Sequence, residues 1–334
     1  MDSALIITII IVFLALSFDF INGFHDTANA IATSVSTRAL SPRRAIILAS
    51  TLNFVGALTF TGVAKAIGGQ VADPATLEHG LQIVIAALLA AITWNLLTWA
   101  VGIPSSSSHA LIGSLAGAVV ASAGFAALNA SGFTKILKGL LFSPLIAFVV
   151  GYILMIIFKK IFANANPHQF NNRFRRTQIF TTAFQAFTHG TNDAQKAMGI
   201  ITFALVAGNF QTELEVPLWV KISAATAMAL GTSIGGWKII KTMGTKIFKI
   251  EPVNGVAADL TSAGVILAAT LNEFPVSTTH AITSSILGVG AAKKFSAVKW
   301  NLAGRIVVTW VITIPIAAVI AGAFYKLIEL VFLK

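Results

Sequence analysis

Two short polar motifs stand out in a strongly apolar chain, and each occurs twice. N-G-F-H-D-T-A-N-A at residues 22–30 returns as H-G-T-N-D-A-Q-K-A at 189–197, and P-S-S-S-S-H-A-L at 104–111 returns as P-V-S-T-T-H-A-I at 275–282. The shifts are similar, 167 from Asp26 to Asp193 and 171 from His109 to His280, so one half of the chain repeats the other. Carboxylates and hydroxyl clusters are costly inside hydrocarbon and are kept there mainly for function. Two matched sets outline a transport site between two related halves.

The solvent of this chain follows from its composition. Of its 334 residues 56% are hydrophobic and 10% charged, against about 25% charged in soluble domains. Residues 45–67, 139–158 and 303–325 carry at most one charge each and reach the ~20 residues that a spanning helix needs. The chain reads as an all-α integral membrane protein with roughly ten to twelve transmembrane segments. The acidic start Met1-Asp2 does not resemble a cleavable signal, so the first apolar segment reads as a retained helix. The net charge of +11 comes from 23 basic and 12 acidic residues. The basic ones gather in short loops: Arg38, Arg43 and Arg44, then 159–176, 238–249 and 293–305. That is the pattern of cytoplasmic loops facing lipid head groups, not of a nucleic-acid surface. With no cysteine, a disulfide framework and thiolate metal sites are excluded.

Loop charge also bears on orientation. Residues 38–44 hold three arginines and no acid, whereas their counterpart 208–216 holds Glu213 and Glu215 and no base. Residues 69–79 contain Asp73 and Glu78, whereas 241–252 contain three lysines and Glu251. The sign flips twice, as two inverted-topology repeats require; Lys135 and Lys138 fit less well, in a loop this scheme places outside. The organisation expected is a first repeat over 1–160, a short basic cytoplasmic linker over 161–178 and a second repeat over 179–334. Parity then predicts one discontinuous crossing over 179–207, broken at Gly190, and by symmetry a break at Asn22-Gly23. Irregular backbone at membrane depth is tolerated where it lines a cavity or is covered by protein.

Each proline-hydroxyl motif predicts a helical hairpin with its tip inside the membrane. Proline suits the first turn of a helix, and Ser or Thr beside it can cap free N–H groups. Helix N-termini with Ser105, Ser106, Ser107 and Ser108 facing Ser277, Thr278 and Thr279 make an anion site. A plainer reading is that small hydroxyl residues merely let helices pack closely. Asp26 and Asp193, beside Asn22, Asn29, Thr191 and Asn192, offer oxygen ligands for a hard monovalent cation, sodium first, or each caps a half-helix. Two such carboxylates about 5 Å apart repel by roughly 3 kcal/mol at an effective dielectric near 20. A bound cation or proton cancels that repulsion, which couples anion to cation affinity reciprocally. This is the logic of symport.

Other polar residues carry less. His109 and His280 either relay protons or pack against carbonyls. His25 has only Asn192 as counterpart. Lys196 stands where the first half has Asn29 and can pair with Asp193 or extend along the helix. Asp259 is a second cation ligand or a packing residue. The glycine runs 113–117 and 231–236 lack the G-x-x-x-x-G-K-[ST] pattern and read as close helix contacts.

On these residues the chain resembles the inorganic phosphate transporter (PiT) family. Residues 22–30 and 189–197 look like its two signature segments, the elements at Pro104 and Pro275 like its paired hairpins, and G-T-S-I-G-G-W-K at Gly231 matches as well. The resemblance covers essentially the whole chain. It implies inverted repeats, inorganic phosphate as substrate, coupling to sodium or protons, no other cofactor, a homodimer, and a multi-pass place in a plasma membrane of prokaryotic type. It casts Asp26 and Asp193 as the essential acids, the hairpin hydroxyls as phosphate contacts, and Asp259 as an acid shared with eukaryotic relatives. Asn53 departs from those relatives, which carry a second acid there, and their large central cytoplasmic domain is here a short linker. Alternatives are a sulfate permease of the same fold and an uncoupled anion channel. An enzyme using Ser108 and His109 is disfavoured, because adjacent helical residues point about 100° apart and no G-x-S-x-G elbow exists.

Overall fold

The computed structural model describes residues 3–73, 76–164 and 167–332. Its elements are helical throughout the described residues. In order they are α1 (Ser3–Ser36), α2 (Pro42–Ala57), α3 (Gly62–Gln70), α4 (Gly80–Val101), α5 (Ser107–Ala123) and α6 (Ala130–Ile161). Then come α7 (Pro167–Asp193), α8 (Gln195–Ala207), α9 (Leu218–Ile234), α10 (Trp237–Lys241), α11 (Pro252–Leu271), α12 (Thr278–Lys293) and α13 (Trp300–Phe332). Among the described residues, five helices are long and apolar enough to cross a membrane: Ala4–Ser36, Gly80–Val101, Ala130–Ile161, Pro252–Leu271 and Trp300–Phe332. Two shorter apolar helices, Ser107–Ala123 and Leu218–Ile234, accompany them.

Exposure sorts these helices into a rim and a centre. Phe13, Leu141, Val311 and Val319 on α1, α6 and α13 are exposed, as an apolar surface facing lipid requires. In contrast, α4 and α11 are largely buried. The polar side chains collect at the centre rather than on the rim: Asp19, Asp26, Asp193, Asp259 and Lys196 are all buried.

A helix–turn–helix hairpin forms at each of the two motifs. Helix α4 ends at Gly102 in the left-handed conformation (φ 71°), which glycine adopts without a Cβ penalty. The chain then runs extended to Ser106, whose side chain caps α5 by accepting from the His109 N–H. Ser277 caps α12 through the His280 N–H in the same way. The first hairpin's return arm α5 packs on α13, and the second hairpin's return arm α12 packs on α6. Each half of the sequence therefore closes around the other's last helix.

The glycines behave differently from expectation. Helix α1 is continuous over Ser3–Ser36, so no break occurs at Asn22-Gly23. Gly23 is instead a crossing point: a Cβ there would meet Met228 O at 2.4 Å, and one on Gly231 would meet Phe20 O at 2.0 Å. Gly190 is likewise no break but lets α7 approach α2, since its Cβ would lie 2.2 Å from Asn53 O. The interruption of the second crossing falls four residues later, at Ala194 between α7 and α8. The glycine run around Gly231 and the pair Gly113 and Gly117 are close contacts as read from the sequence; a Cβ on Gly117 would sit 2.2 Å from Ala318 O. The segment read as a linker is mostly helix, because α7 starts at Pro167 and carries Arg173, Arg175 and Arg176 exposed on its first turns.

Candidate substrate and cation site

Where the two hairpin tips meet α1 and the α7–α8 junction, a single carboxylate gathers both. Asp26 accepts from Ser107 Oγ (3.2 Å), the first residue of α5, and from Thr279 Oγ1 (3.4 Å) in the first turn of α12. Two helix N-termini, each favouring negative charge, thus converge on one point. Asn29, one turn further along α1, donates to Thr278 Oγ1 (3.2 Å) and Thr279 Oγ1 (2.9 Å). Ser108 Oγ donates to Val276 O of the opposite hairpin (2.9 Å), holding the tips together.

Histidine and lysine complete the cluster. His25 Nδ1 lies 2.6 Å from Asp26 Oδ1, and its Nε2 contacts Thr98 Oγ1 (3.2 Å) and Ser105 Oγ (3.3 Å). Thr98 and Ser105 share a hydrogen bond of 2.7 Å. On the other side Lys196 Nζ lies 2.8 Å from Asp193 Oδ1 and donates to Ser107 Oγ at 2.8 Å. Asn22 Nδ2 donates across the halves to Asp193 Oδ2 (3.3 Å), and His189 Nε2 stands 3.4 Å from the same oxygen. Ligand atoms of Asp26, His189 and Asp193 all lie within 4.8 Å of one another. That spacing is the one for which mutual carboxylate repulsion is worth about 3 kcal/mol.

Several buried oxygens here have no donor: Asn22 Oδ1, Asn29 Oδ1 and both carboxylate oxygens of Asp19. A buried acceptor without a donor costs about 1–3 kcal/mol, and a hard cation with oxygen ligands is the chemistry that satisfies such a set.

The remaining residues singled out in the sequence lie elsewhere. Ser106 and Ser277 spend their hydroxyls on caps, to the His109 and His280 N–H groups at 3.1 and 3.2 Å. His109 and His280 stack on each other, ring centroids 4.4 Å apart, and His280 on Trp310 at 3.9 Å. Thr191 and Asn192 turn to Thr270 Oγ1 (3.4 and 3.1 Å) in the last turn of α11, next to the tip of the second hairpin. Asp259 sits in a cluster of its own, accepting from Thr33 (2.7 Å), Thr181 (3.1 Å) and Thr182 (3.4 Å). One turn along α11 from it, Ser262 donates to Gln185 Oε1 (2.6 Å), whose Nε2 reaches Asn29 O (3.3 Å). Sequence reasoning passed over Asp19 altogether and undervalued His25 and His189. A lone acid in the apolar run of α1 was the signal for Asp19.

Residues 22–173 and 162–321 match the model of the phosphate transporter family. This chain belongs to that family. A Bacillus subtilis (strain 168) protein titled "Probable low-affinity inorganic phosphate transporter" is 62% identical over 333 residues, covering 99% of this chain and 100% of the relative. A Rhizobium meliloti (strain 1021) protein of the same title is 46% identical, with coverage of 99% and 100%. Among solved structures, one titled "The sodium-dependent phosphate transporter" aligns with a TM-score of 0.84 at 23% identity, over 98% of this chain and 100% of that one. It establishes the fold. The family and these relatives are transporters, not enzymes.

Proposed function

We propose that the chain imports inorganic phosphate by symport with a cation, through a site shared by two inverted-topology repeats in a prokaryotic plasma membrane. The observation that carries this reading is the Asp26 carboxylate held by first-turn hydroxyls of both α5 and α12. Ser107, Thr278 and Thr279 are the donors that turn to a tetrahedral oxyanion, while Ser105 backs them through Thr98 and His25. Phosphate beside Asp26 and Asp193 is repelled unless a positive charge arrives with it, so the two ligands bind together. The inversion is supported by the flipped loop charges and by the crossed pairing of α5 with α13 and α12 with α6. A span count of ten to twelve and a homodimer belong to the same reading.

Sodium is the first coupling ion, because the donorless oxygens of Asp19, Asn22 and Asn29 suit a hard cation. The proton is the second, favoured by the 2.6 Å contact of His25 with Asp26 and its continuation to Thr98 and Ser105. Labelled-phosphate uptake by proteoliposomes, with sodium and pH gradients imposed separately, decides between them. Uptake indifferent to every cation gradient refutes symport in favour of a channel. Sulfate added to the same assay tests the anion: competition at equal concentration would make the site a general tetrahedral-oxyanion carrier.

A further inference from the structure

Among the positions at which the two motifs differ, one exchanges a neutral side chain for a charged one that reaches the opposite hairpin. Asn29 on α1 reaches across to the second hairpin, donating to Thr278 and Thr279. Lys196, at the matching place of the second motif, reaches across to the first hairpin, donating to Ser107. The geometry is the same exchange seen twice, once with a neutral amide and once with an ammonium. Lys196 is 2% exposed and is the one buried lysine or arginine among the described residues. Its Nζ lies 2.8 Å from Asp193 Oδ1, within ion-pair distance of the carboxylate that mirrors Asp26.

An ammonium and a sodium ion bring the same positive charge and draw the same kind of neighbours, a carboxylate oxygen and a hydroxyl oxygen. Lys196 already has both, from Asp193 and Ser107. Burying such a pair is worthwhile only if each partner stays satisfied, since an unpaired charge left behind is strongly destabilising. An ion delivered from solution would therefore have to expel a covalently held competitor with no translational entropy to regain. The centre still holds more carboxyl groups than ammonium groups. Asp19, Asp26 and Asp193 are all buried against this single lysine, and neither oxygen of Asp19 has a hydrogen-bond donor.

We propose that Lys196 is a tethered counter-cation, its ammonium holding at Asp193 and Ser107 the place a mobile coupling ion takes in the other half. Asp193 is then neutralised throughout the cycle, and the mobile cation travels at the Asp26 side. The transporter moves one cation fewer per phosphate than its two-fold motif suggests. This rests on the symport reading above.

The test counts cations per phosphate in proteoliposomes of the full chain, with the membrane potential clamped at zero. The variants are Lys196→Asn, which installs the residue of the first half, Lys196→Arg, which keeps the charge, and Asp193→Asn/Lys196→Asn, which removes the pair. Lys196→Asn should demand one additional cation. An extra cation multiplies steady-state accumulation by the imposed gradient, so a roughly tenfold gradient yields about tenfold more phosphate than wild type. Lys196→Arg and the double variant should both keep the wild-type count. A Lys196→Asn protein with an unchanged count overturns the inference, as does a double variant that needs the additional ion. If Lys196→Asn and the double variant are monodisperse but inert while Lys196→Arg transports, the ammonium contacts phosphate itself and the tethered-ion role is wrong. Wild-type protein that ignores all gradients instead refutes symport, which separates the two failures.

Discussion

At the scale of single residues, the candidate site divides its hydroxyls between capping helices and bridging charged groups. Ser107 bridges Asp26 and Lys196, whereas Ser106 one position earlier caps α5. Their alanine variants should differ in kind. Ser107→Ala removes a hydroxyl that donates to Asp26 and accepts from Lys196, a loss of about 1.5–3 kcal/mol, and should raise the KM for phosphate roughly 10- to 100-fold. Ser106→Ala removes an N-cap worth about 1 kcal/mol and should lower the melting temperature with a smaller change in KM. Uptake kinetics and thermal unfolding in detergent read the two outcomes. Asp26→Asn keeps the shape of the side chain but removes the charge that the proposed symport uses to recruit a cation. Gradient-driven accumulation should vanish in a labelled-phosphate assay while the protein remains monodisperse. Of these residues, Asp26 and Asp193 were legible in the sequence because a charge in an apolar run stands out. The division of labour among four consecutive serines was not, since adjacent positions on a helix start differ only in the direction they point.

At the scale of elements, glycine is the residue whose meaning changed. A glycine in a spanning helix signals either a weak point of backbone or a missing side chain, and the sequence shows the same letter for both. Gly23 and Gly190, read as breaks, are contact points where α1 meets α9 and α7 meets α2, the role that Gly231 already had in the sequence. Small residues at such crossings let backbones approach, which is how helices associate where lipid offers no hydrophobic drive. Gly190→Leu should therefore fail by overpacking, with a loss of at least about 1–3 kcal/mol. Gly264→Leu on α11, whose Cβ would meet nothing within 4 Å, should be tolerated. Melting curves of the two variants in detergent compare them directly. The hairpins, by contrast, were readable, because proline followed by a capping hydroxyl carries its own local geometry.

At the scale of the whole molecule, the halves interlock. With α5 on α13 and α12 on α6, neither half buries its own hairpin alone. Inversion makes a topological prediction that a chain without cysteine can test directly. Ser41→Cys, in the arginine loop, should react with an impermeant thiol reagent from the cytoplasmic side. Thr212→Cys, in the acidic loop, should react from the opposite side, and labelling of both from one side would remove the inverted arrangement. Both positions are exposed.

Polarity placed against an apolar background was enough to define the class, the duplication, the pair of aspartates and the paired hairpins. Each depends on local chemistry that hydrocarbon punishes if it has no use. What only the packed structure decided is which of those polar atoms meet. The gathering of Asp26, Ser107 and Thr279, the seating of Lys196 between Asp193 and Ser107, and the separation of Asp259 into a threonine pocket all join residues far apart in the chain. Such contacts are set by how closely helices cross and how they rotate about their axes, quantities that depend on every neighbour at once and on no single stretch of sequence.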